Sequence, residues 1–160
     1  MTSASTTESP SPNPSLAVQI APDHPDGLEL QNPVMTASGT AGFGPELAKV
    51  FDLSVLGALV TKTVTPRRRE GNPTPRTVET AAGMLNSIGL QNVGISKVVD
   101  ELAPIWDTWD VPVIVNIAGD TPAEFGKMAA ILDDTPGIDA LELNISCPNV
   151  DQGGIEIGQS

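Results

Sequence analysis

The stretch Asp139-Ala-Leu-Glu-Leu-Asn-Ile-Ser-Cys-Pro-Asn149 decides the expected fold. Its first half is an apolar run of the length expected for a parallel strand that is covered on both faces. The run then turns polar, and Pro148 excludes the residue before it from the α region. The chain should therefore leave the strand extended and present Asn144, Cys147 and Asn149 in a loop. In parallel α/β proteins, binding and catalytic residues collect at this carboxyl end of a strand.

A short apolar strand followed by a helical segment occurs about four times along the chain, which predicts an α/β protein with a parallel sheet. Four such units are half of an eight-stranded barrel, which typically needs about 250 residues. We therefore expect the N-terminal half of a (β/α)8 TIM-barrel domain at residues 16–160, after a disordered extension at residues 1–15. The predicted elements are a hairpin at 16–20 and 28–30, strands at 32–39, 57–62, 111–116 and from 139, and helices at 45–51, 94–102 and from Thr121.

Each of the four predicted strands ends in a polar residue. These residues are Ser38, Lys62, Asn116 and Asn144. Because the strands of a parallel sheet point the same way, their carboxyl ends meet at one face. The sequence therefore predicts a single site that is assembled from separated residues.

Cys147 is the only cysteine of the chain, so no disulfide can form within one copy, which favours a reducing compartment. A nucleophilic cysteine needs a base beside it, but the only histidine, His24, lies in a Pro/Asp-rich segment. A structural zinc site needs four ligands, and we predict no metal site. The residues alone leave two readings open for Cys147, a general acid/base or a buried structural thiol.

The composition excludes several classes of protein. The 160 residues are 39% hydrophobic and carry a formal net charge of −12, which argues against nucleic acid and anionic membranes as partners. No apolar run approaches the roughly 18 residues of a membrane helix, and no secretory signal is visible. We expect a cytoplasmic protein with no membrane span.

The segment 63–85 is predicted to be a long irregular loop, because prolines and glycines interrupt it. Five of the eight basic residues of the chain lie in this loop or at its start. Two interpretations stay open at this stage, a solvated loop and a contact with an anion or a partner. The five residues are Lys62, Arg67, Arg68, Arg69 and Arg76.

Four long motifs occur in a fixed order: Asn32-Pro-Val-Met-Thr-Ala-Ser-Gly39, Gly71-Asn-Pro-Thr-Pro-Arg76, Gly83-Met-Leu-Asn-Ser-Ile-Gly-Leu-Gln-Asn92 and Glu142-Leu-Asn-Ile-Ser-Cys-Pro-Asn-Val150. Together they resemble the catalytic subunits of dihydroorotate dehydrogenases. The third motif and Gly153-Gly154 are most similar to the class 1B, NAD-linked type. The resemblance covers about residue 28 to the end of the chain.

The resemblance implies a TIM barrel that holds FMN and oxidises (S)-dihydroorotate to orotate in pyrimidine biosynthesis. It implies that Cys147 is the base that removes the proton from C5 of the substrate. Lys62 would touch both the substrate and the flavin. The other implied substrate-binding residues are Asn86, Ser87, Ile88, Gly89, Leu90, Asn144 and Asn149, and the other implied flavin-binding residues are Ser38, Thr63, Asn116 and Asn144.

The resemblance also implies partners. Class 1B enzymes pass electrons to NAD through a second subunit that carries FAD and a [2Fe–2S] cluster, and we expect such a subunit and a homo-oligomer in the full-length form. Two alternatives stay open: a flavoenzyme similar to dihydropyrimidine dehydrogenase, and an inactive truncated product. The second half of the family barrel is absent from these 160 residues. We therefore expect the chain alone to bind FMN weakly or not at all and to turn over nothing.

Overall fold

The structure is a computed structural model, and it describes residues 15–25 and 27–145. The predictions for Cys147, Asn149 and the glycines at 153 and 154 lie outside the described residues, as does the predicted extension except Ser15.

The first described element is the predicted antiparallel hairpin, which the structure confirms. Strand β1 (Val18–Ile20) pairs with β2 (Leu28–Leu30), with Val18 opposite Leu30. Leu30 is only 1% exposed. It packs in a small apolar cluster with Ala58, Val60 and Ile114, so the hairpin is attached to the parallel sheet.

Five further strands follow: β3 (Leu59–Val60), β4 (Thr77–Thr80), β5 (Gly83–Asn86), β6 (Val113–Ile117) and β7 (Ala140–Leu143). Strands β3, β6 and β7 form a parallel sheet in that order. Isolated parallel bridges extend it, with Met35 opposite Ala58 and Val64 opposite Ile117. Parallel segments that are adjacent both in the chain and in the sheet require crossover connections, and two of these contain helices.

The helical segments are 3-10 turns at Leu47–Lys49 and Leu53–Val55, then α1 (Ile95–Lys97), a π-helical turn (Val98–Leu102), α2 (Ala103–Trp106) and α3 (Pro122–Asp133). The predicted start of α3 is confirmed, since the Glu124 N–H donates to Thr121 Oγ1 at 3.3 Å. The Glu124 carboxylate accepts a hydrogen bond from the Asp120 N–H at 2.7 Å, one residue earlier than a capping box requires.

The main core lies between the sheet and the helices. Val113, Val115 and Ile117 of β6 contribute alternate side chains to it, and α3 contributes Phe125, Met128 and Leu132. Trp106 is 2% exposed, and its indole N–H donates to the carbonyl oxygen of Phe43 at 2.9 Å. A buried indole usually finds such a partner. This bond ties the segment 95–106 to the loop after the first parallel segment.

Two predicted elements are wrong or too long. Residues 32–39 do not form a buried strand: only the Met35 bridge pairs them, and Val34 is 60% exposed. Thr36 explains the difference, because its Oγ1 both accepts from the Val60 N–H at 2.8 Å and donates to the Val60 carbonyl at 3.0 Å. A side chain thus replaces the backbone ladder. The predicted helix at 45–51 is only a 3-10 turn.

The prediction of an irregular loop through residue 85 is also wrong in its second half. Strands β4 and β5 form an antiparallel hairpin, with Val78 opposite Leu85. All eight residues of these two strands are exposed. The hairpin is stabilised by cross-strand pairs rather than burial, so it carries no apolar signal that a sequence pattern could reveal.

Candidate functional site

A cavity of about 190 Å³ lies beside the end of β3. It brings together residues that are up to 53 positions apart, from Ser38 to Gln91. Six of its lining residues were predicted to bind substrate or cofactor, namely Ser38, Lys62, Thr63, Asn86, Ile88 and Leu90. Gly39 and Gln91 also line it, and sequence reasoning did not single them out.

Lys62 is held at this cavity by the backbone of the preceding loop. Its N–H donates to the Gly42 carbonyl at 2.7 Å. The side chain is half-buried, and no carboxylate forms a salt bridge with it within the described part of the chain. A half-buried ammonium without a counter-ion is available for a ligand that carries or develops negative charge.

Thr63 connects the cavity to the ends of the neighbouring strands. It is 7% exposed, and its Oγ1 accepts a hydrogen bond from Asn144 Nδ2 at 3.2 Å. The Asn144 backbone N–H in turn donates to the Ile117 carbonyl at 2.9 Å. Asn144 does not itself line the cavity. Lys62 and Asn144 were predicted to meet at one face, but only Lys62 lines the cavity. Asn144 is connected to it through its hydrogen bond to Thr63, the residue after Lys62.

Asn116 is the most deeply buried polar residue of the predicted site, at 1% exposed. Its Nδ2 donates to Glu142 Oε1, and its backbone N–H donates to Thr61 Oγ1 at 3.2 Å. Its Oδ1 has no hydrogen-bond partner among residues 15–25 and 27–145. A buried carbonyl oxygen without a donor is costly, but Asn116 does not line the 190 Å³ cavity. Glu142 was not predicted to belong to the site.

Asn72 fixes one side of the loop that follows β5. Its Nδ2 donates to the Ser87 carbonyl at 3.0 Å and to Ser87 Oγ at 2.8 Å, and its N–H donates to the Ile88 carbonyl at 3.0 Å. Gly89 has a φ of +77°, and a Cβ there would lie 2.7 Å from Asn72 Oδ1. Ser87 and Gly89 therefore face Asn72 and are not among the lining residues, although both were predicted to bind substrate.

The basic residues of the segment 63–85 are mostly engaged with other protein groups. Arg69 pairs with Asp120 at 3.1 Å, and Arg68 pairs with Glu70 at 2.9 Å. Arg76 donates to Gln91 Oε1 at 2.5 Å, which holds that cavity-lining side chain. A second cavity of about 680 Å³ borders this segment, with Arg67, Arg68, Arg69, Lys127, Asp120 and Glu124 in its wall. The wall of this second cavity carries both positive and negative side chains. A solvated loop and a contact with an anion or a partner both remain predictions for the basic residues.

The described residues contain neither a metal-binding cluster nor a membrane-spanning helix. These residues contain no group of three His, Cys, Asp or Glu side chains that could hold a metal ion. No helix formed by residues 15–25 and 27–145 is long and apolar enough to cross a membrane. Hydrogen bonds from the Ser54 hydroxyl and N–H lower the pKa of the Asp52 carboxyl group. Asp52 caps a 3-10 turn and does not line the 190 Å³ cavity.

A parallel sheet with a cavity beside the end of strand β3 is typical of an α/β protein with a site for a small ligand. The model of the family described as dihydroorotate dehydrogenase matches residues 16–160, and the chain belongs to this family.

Curated relatives agree with this assignment. A protein of Desulforudis audaxviator is 58% identical over 132 residues, which are 82% of this chain and 43% of the relative. A protein of Geotalea uraniireducens is 53% identical over 145 residues, which are 91% of this chain and 46% of the relative. Both bear the name dihydroorotate dehydrogenase B (NAD(+)), catalytic subunit. The chain thus spans less than half the length of these relatives.

The fold is also similar to that of a solved structure, the dihydroorotate dehydrogenase of Eimeria tenella in complex with ferulenol. The TM-score is 0.61 at 24% sequence identity, and the match covers 85% of this chain and 38% of the other. At this identity the match supports the fold alone. It confirms the fold of the family and agrees with the three-stranded parallel sheet.

Proposed function

We propose that the chain forms the flavin- and pyrimidine-binding half of an enzyme that oxidises (S)-dihydroorotate to orotate in pyrimidine biosynthesis. The observation that supports it most directly is the 190 Å³ cavity, where the end of β3 meets the loop after β5. Lys62 and Thr63 follow β3, Asn86 is the last residue of β5, and Ile88 and Leu90 lie in the loop after it. The names of the curated relatives support the same reaction.

The complete domain in this proposal is a (β/α)8 barrel. The parallel segments at residues 35, 58–60, 113–117 and 140–143 follow one another in chain order, as barrel strands do. Leu143 of β7 is 54% exposed and Ile145 is 42% exposed. Large apolar side chains at the last strand favour packing against further strands. We propose that the remaining length of the relatives supplies those strands.

FMN is the proposed cofactor, and the residues present fit it. The isoalloxazine ring carries N–H donors and carbonyl acceptors, and within the described part of the chain Asn116 Oδ1 lacks a donor and Lys62 lacks an anionic partner. A Cβ built on Gly39 would have no atom within 4 Å, so the space beside this glycine is open. When bound, FMN supplies the acceptor for the hydride from C6 of the substrate. Ser38, Lys62, Thr63, Asn116 and Asn144 are the residues that would hold it.

The protein side of the reaction is proton removal and charge stabilisation. Cys147 is proposed as the base that takes the proton from C5, since a thiol with an ordinary pKa of about 8.5 needs only a modest shift to act near neutral pH. The Lys62 ammonium stabilises negative charge that develops as the bond to C6 breaks. Asn86 and Asn144 offer amide donors and acceptors that suit a ring of alternating N–H and C=O groups.

The proposed electron path leaves the chain through a partner. The relatives bear "NAD(+)" and "catalytic subunit" in their names, which supports a separate electron-transfer subunit. A [2Fe–2S] cluster needs four protein ligands, usually cysteines, and this chain has one cysteine. We therefore propose that FAD and the cluster reside on that subunit. A cytoplasmic location and a homo-oligomeric catalytic core complete the proposal.

Substrate choice tests the proposed reaction. The remaining length of the Geobacillus kaustophilus relative, which is 55% identical over 132 residues, is fused to this chain. Oxidation of dihydroorotate and of dihydrouracil is then measured in the presence of FMN. We expect turnover of dihydroorotate only, because its carboxylate is the group that a cationic site selects. Turnover of dihydrouracil alone would instead assign the chain to a dihydropyrimidine dehydrogenase-like activity. The 160-residue chain by itself is expected to give no turnover.

A further inference from the structure

Asn92 is a buried residue that the proposed reaction does not use. It is 4% exposed. Its Oδ1 accepts hydrogen bonds from the backbone N–H groups of Thr65, at 3.2 Å, and Gly94, at 2.9 Å. Its Nδ2 donates to Thr65 Oγ1 at 2.9 Å and to the Leu90 carbonyl at 2.8 Å. A primary amide has two donors and two acceptor positions, so the full capacity of this side chain is used within the protein.

The backbone of Asn92 is fixed as well. Its N–H donates to the Arg69 carbonyl at 3.0 Å, and its carbonyl accepts from the Arg69 N–H at 3.1 Å. Thr65 lies three residues after Lys62 on the segment that follows β3. Asn92 therefore joins the loop after β5 to the segment that carries Lys62. The connection is made by hydrogen bonds of both its backbone, to Arg69, and its side chain, to Thr65.

Leu90 is the residue on which this connection acts. Its φ is +52°, in the left-handed region that residues with a Cβ rarely adopt. Leu90 and Ile88 line the 190 Å³ cavity together with Lys62. An unfavourable backbone conformation persists only where surrounding contacts hold it. The bond from Asn92 Nδ2 to the Leu90 carbonyl is a contact of that kind, and it comes from a residue that does not line the cavity.

We infer that Asn92 is a positioning residue, whose amide holds residues 86–91 in the conformation that lines the substrate cavity. The effect on the loop follows from the contacts alone. The effect on ligand affinity rests on the proposed function, because it assumes that Ile88 and Leu90 contact the pyrimidine. The test measures the two effects separately.

Two variants separate the Leu90 contact from the rest of the network. Asn92→Asp keeps both acceptor positions for the Thr65 and Gly94 N–H groups and replaces the Nδ2 donor. Thr65→Val is the matched control, because it removes a buried hydroxyl of the same network that also donates to the Arg67 carbonyl at 2.6 Å, yet it keeps the bond from Asn92 to Leu90. Asn92→Ser, which is neutral and too short to reach Leu90, is the second test variant in case the buried carboxylate prevents folding.

Amide hydrogen exchange of the full chain measures the loop. We expect exchange in residues 86–91 to be about tenfold faster in the Asn92 variants, the factor that corresponds to one lost hydrogen bond, and to be unchanged in Thr65→Val. Equal exchange in both kinds of variant would overturn the inference.

Kinetics of the flavin-loaded full-length chimera with the Geobacillus kaustophilus relative measure the effect on the ligand. We expect the Asn92 variants to raise KM for dihydroorotate about tenfold and to leave kcat within about twofold, while Thr65→Val changes neither. A general loss of stability would instead lower the amount of active protein in all variants without changing KM. If the chimera that carries the wild-type sequence does not oxidise dihydroorotate, the proposed function fails, and the exchange comparison still decides the role of Asn92.

Discussion

At the scale of single residues, Lys62 and Asn116 carry the strongest chemical signal. Lys62 was noticeable in the sequence because a lysine at the end of a buried strand needs a reason to be there. The structure leaves its ammonium without a carboxylate among the described residues and puts it in the wall of the cavity. The orphaned Asn116 Oδ1 could not be read from the sequence, because it depends on the distant Glu142.

Replacing Lys62 tests its proposed role in charge stabilisation. Lys62→Met keeps the length of the side chain and removes the charge. We expect the rate at which dihydroorotate reduces the flavin to fall by about 10²–10³, the usual effect of removing one preorganised electrostatic group. Stopped-flow absorbance under anaerobic conditions measures this rate in the flavin-loaded chimera with the Geobacillus kaustophilus relative. Lys49→Met is the control, since Lys49 is exposed in a 3-10 turn; an equal loss in both variants would contradict the role of Lys62.

Gly89 provides a test of the loop geometry at a single position. Gly89→Ala places a Cβ 2.7 Å from Asn72 Oδ1 in a backbone with a φ of +77°. We expect the free energy of unfolding to fall by about 1–3 kcal/mol, because both the strain and the clash oppose the native loop. Urea denaturation measures it.

The control for Gly89→Ala is a glycine of α3. A Cβ built on Gly126 would have no atom within 4 Å. Because Gly126 lies inside a helix, Gly126→Ala should raise stability by about 0.5–1 kcal/mol. A decrease in stability of the same size in both variants would show that the loop around Gly89 is not as described.

At the scale of elements, the predictions succeeded where burial produces a pattern. Strand β6 is buried along its whole length and helix α3 is buried on one face, and both were predicted within about three residues. The hairpin of β4 and β5 was missed because its residues are exposed, and residues 32–39 were overestimated because Thr36 replaces backbone pairing. A local sequence pattern does not show that a side chain such as Thr36 takes the place of backbone pairing with a strand 24 positions away.

The indole of Trp106 links two of these elements and gives an element-scale prediction. Trp106→Phe removes the donor to the Phe43 carbonyl and part of a buried side chain. We expect a decrease of about 1–3 kcal/mol in the free energy of unfolding. Trp109→Phe should cost less, because Trp109 is only partly buried and its indole has no hydrogen-bond partner within residues 27–145. Denaturation followed by circular dichroism compares the two; equal losses would contradict the importance of the Trp106 bond.

At the scale of the whole molecule, the order of the parallel segments and the family were readable from the sequence. Four long motifs carried the family, and the family model confirms it over residues 16–160. The detailed site was only partly readable. Ser38, Lys62, Thr63 and Asn86 do meet at one cavity, whereas Gln91, Asn92 and Glu142 act through contacts between segments that lie 15 to 27 positions apart in the chain.

The central claim is that this cavity belongs to a flavin and dihydroorotate site. The most direct test is anaerobic bleaching of the flavin absorbance by dihydroorotate in the full-length chimera with the Geobacillus kaustophilus relative. We predict rapid bleaching, and a rate about 10²–10⁴ lower in Cys147→Ala, as expected when a general base is removed. The flavin should stay bound in this variant. A flavin that is bound but not bleached by dihydroorotate, or bleaching that Cys147→Ala leaves unchanged, would contradict the account.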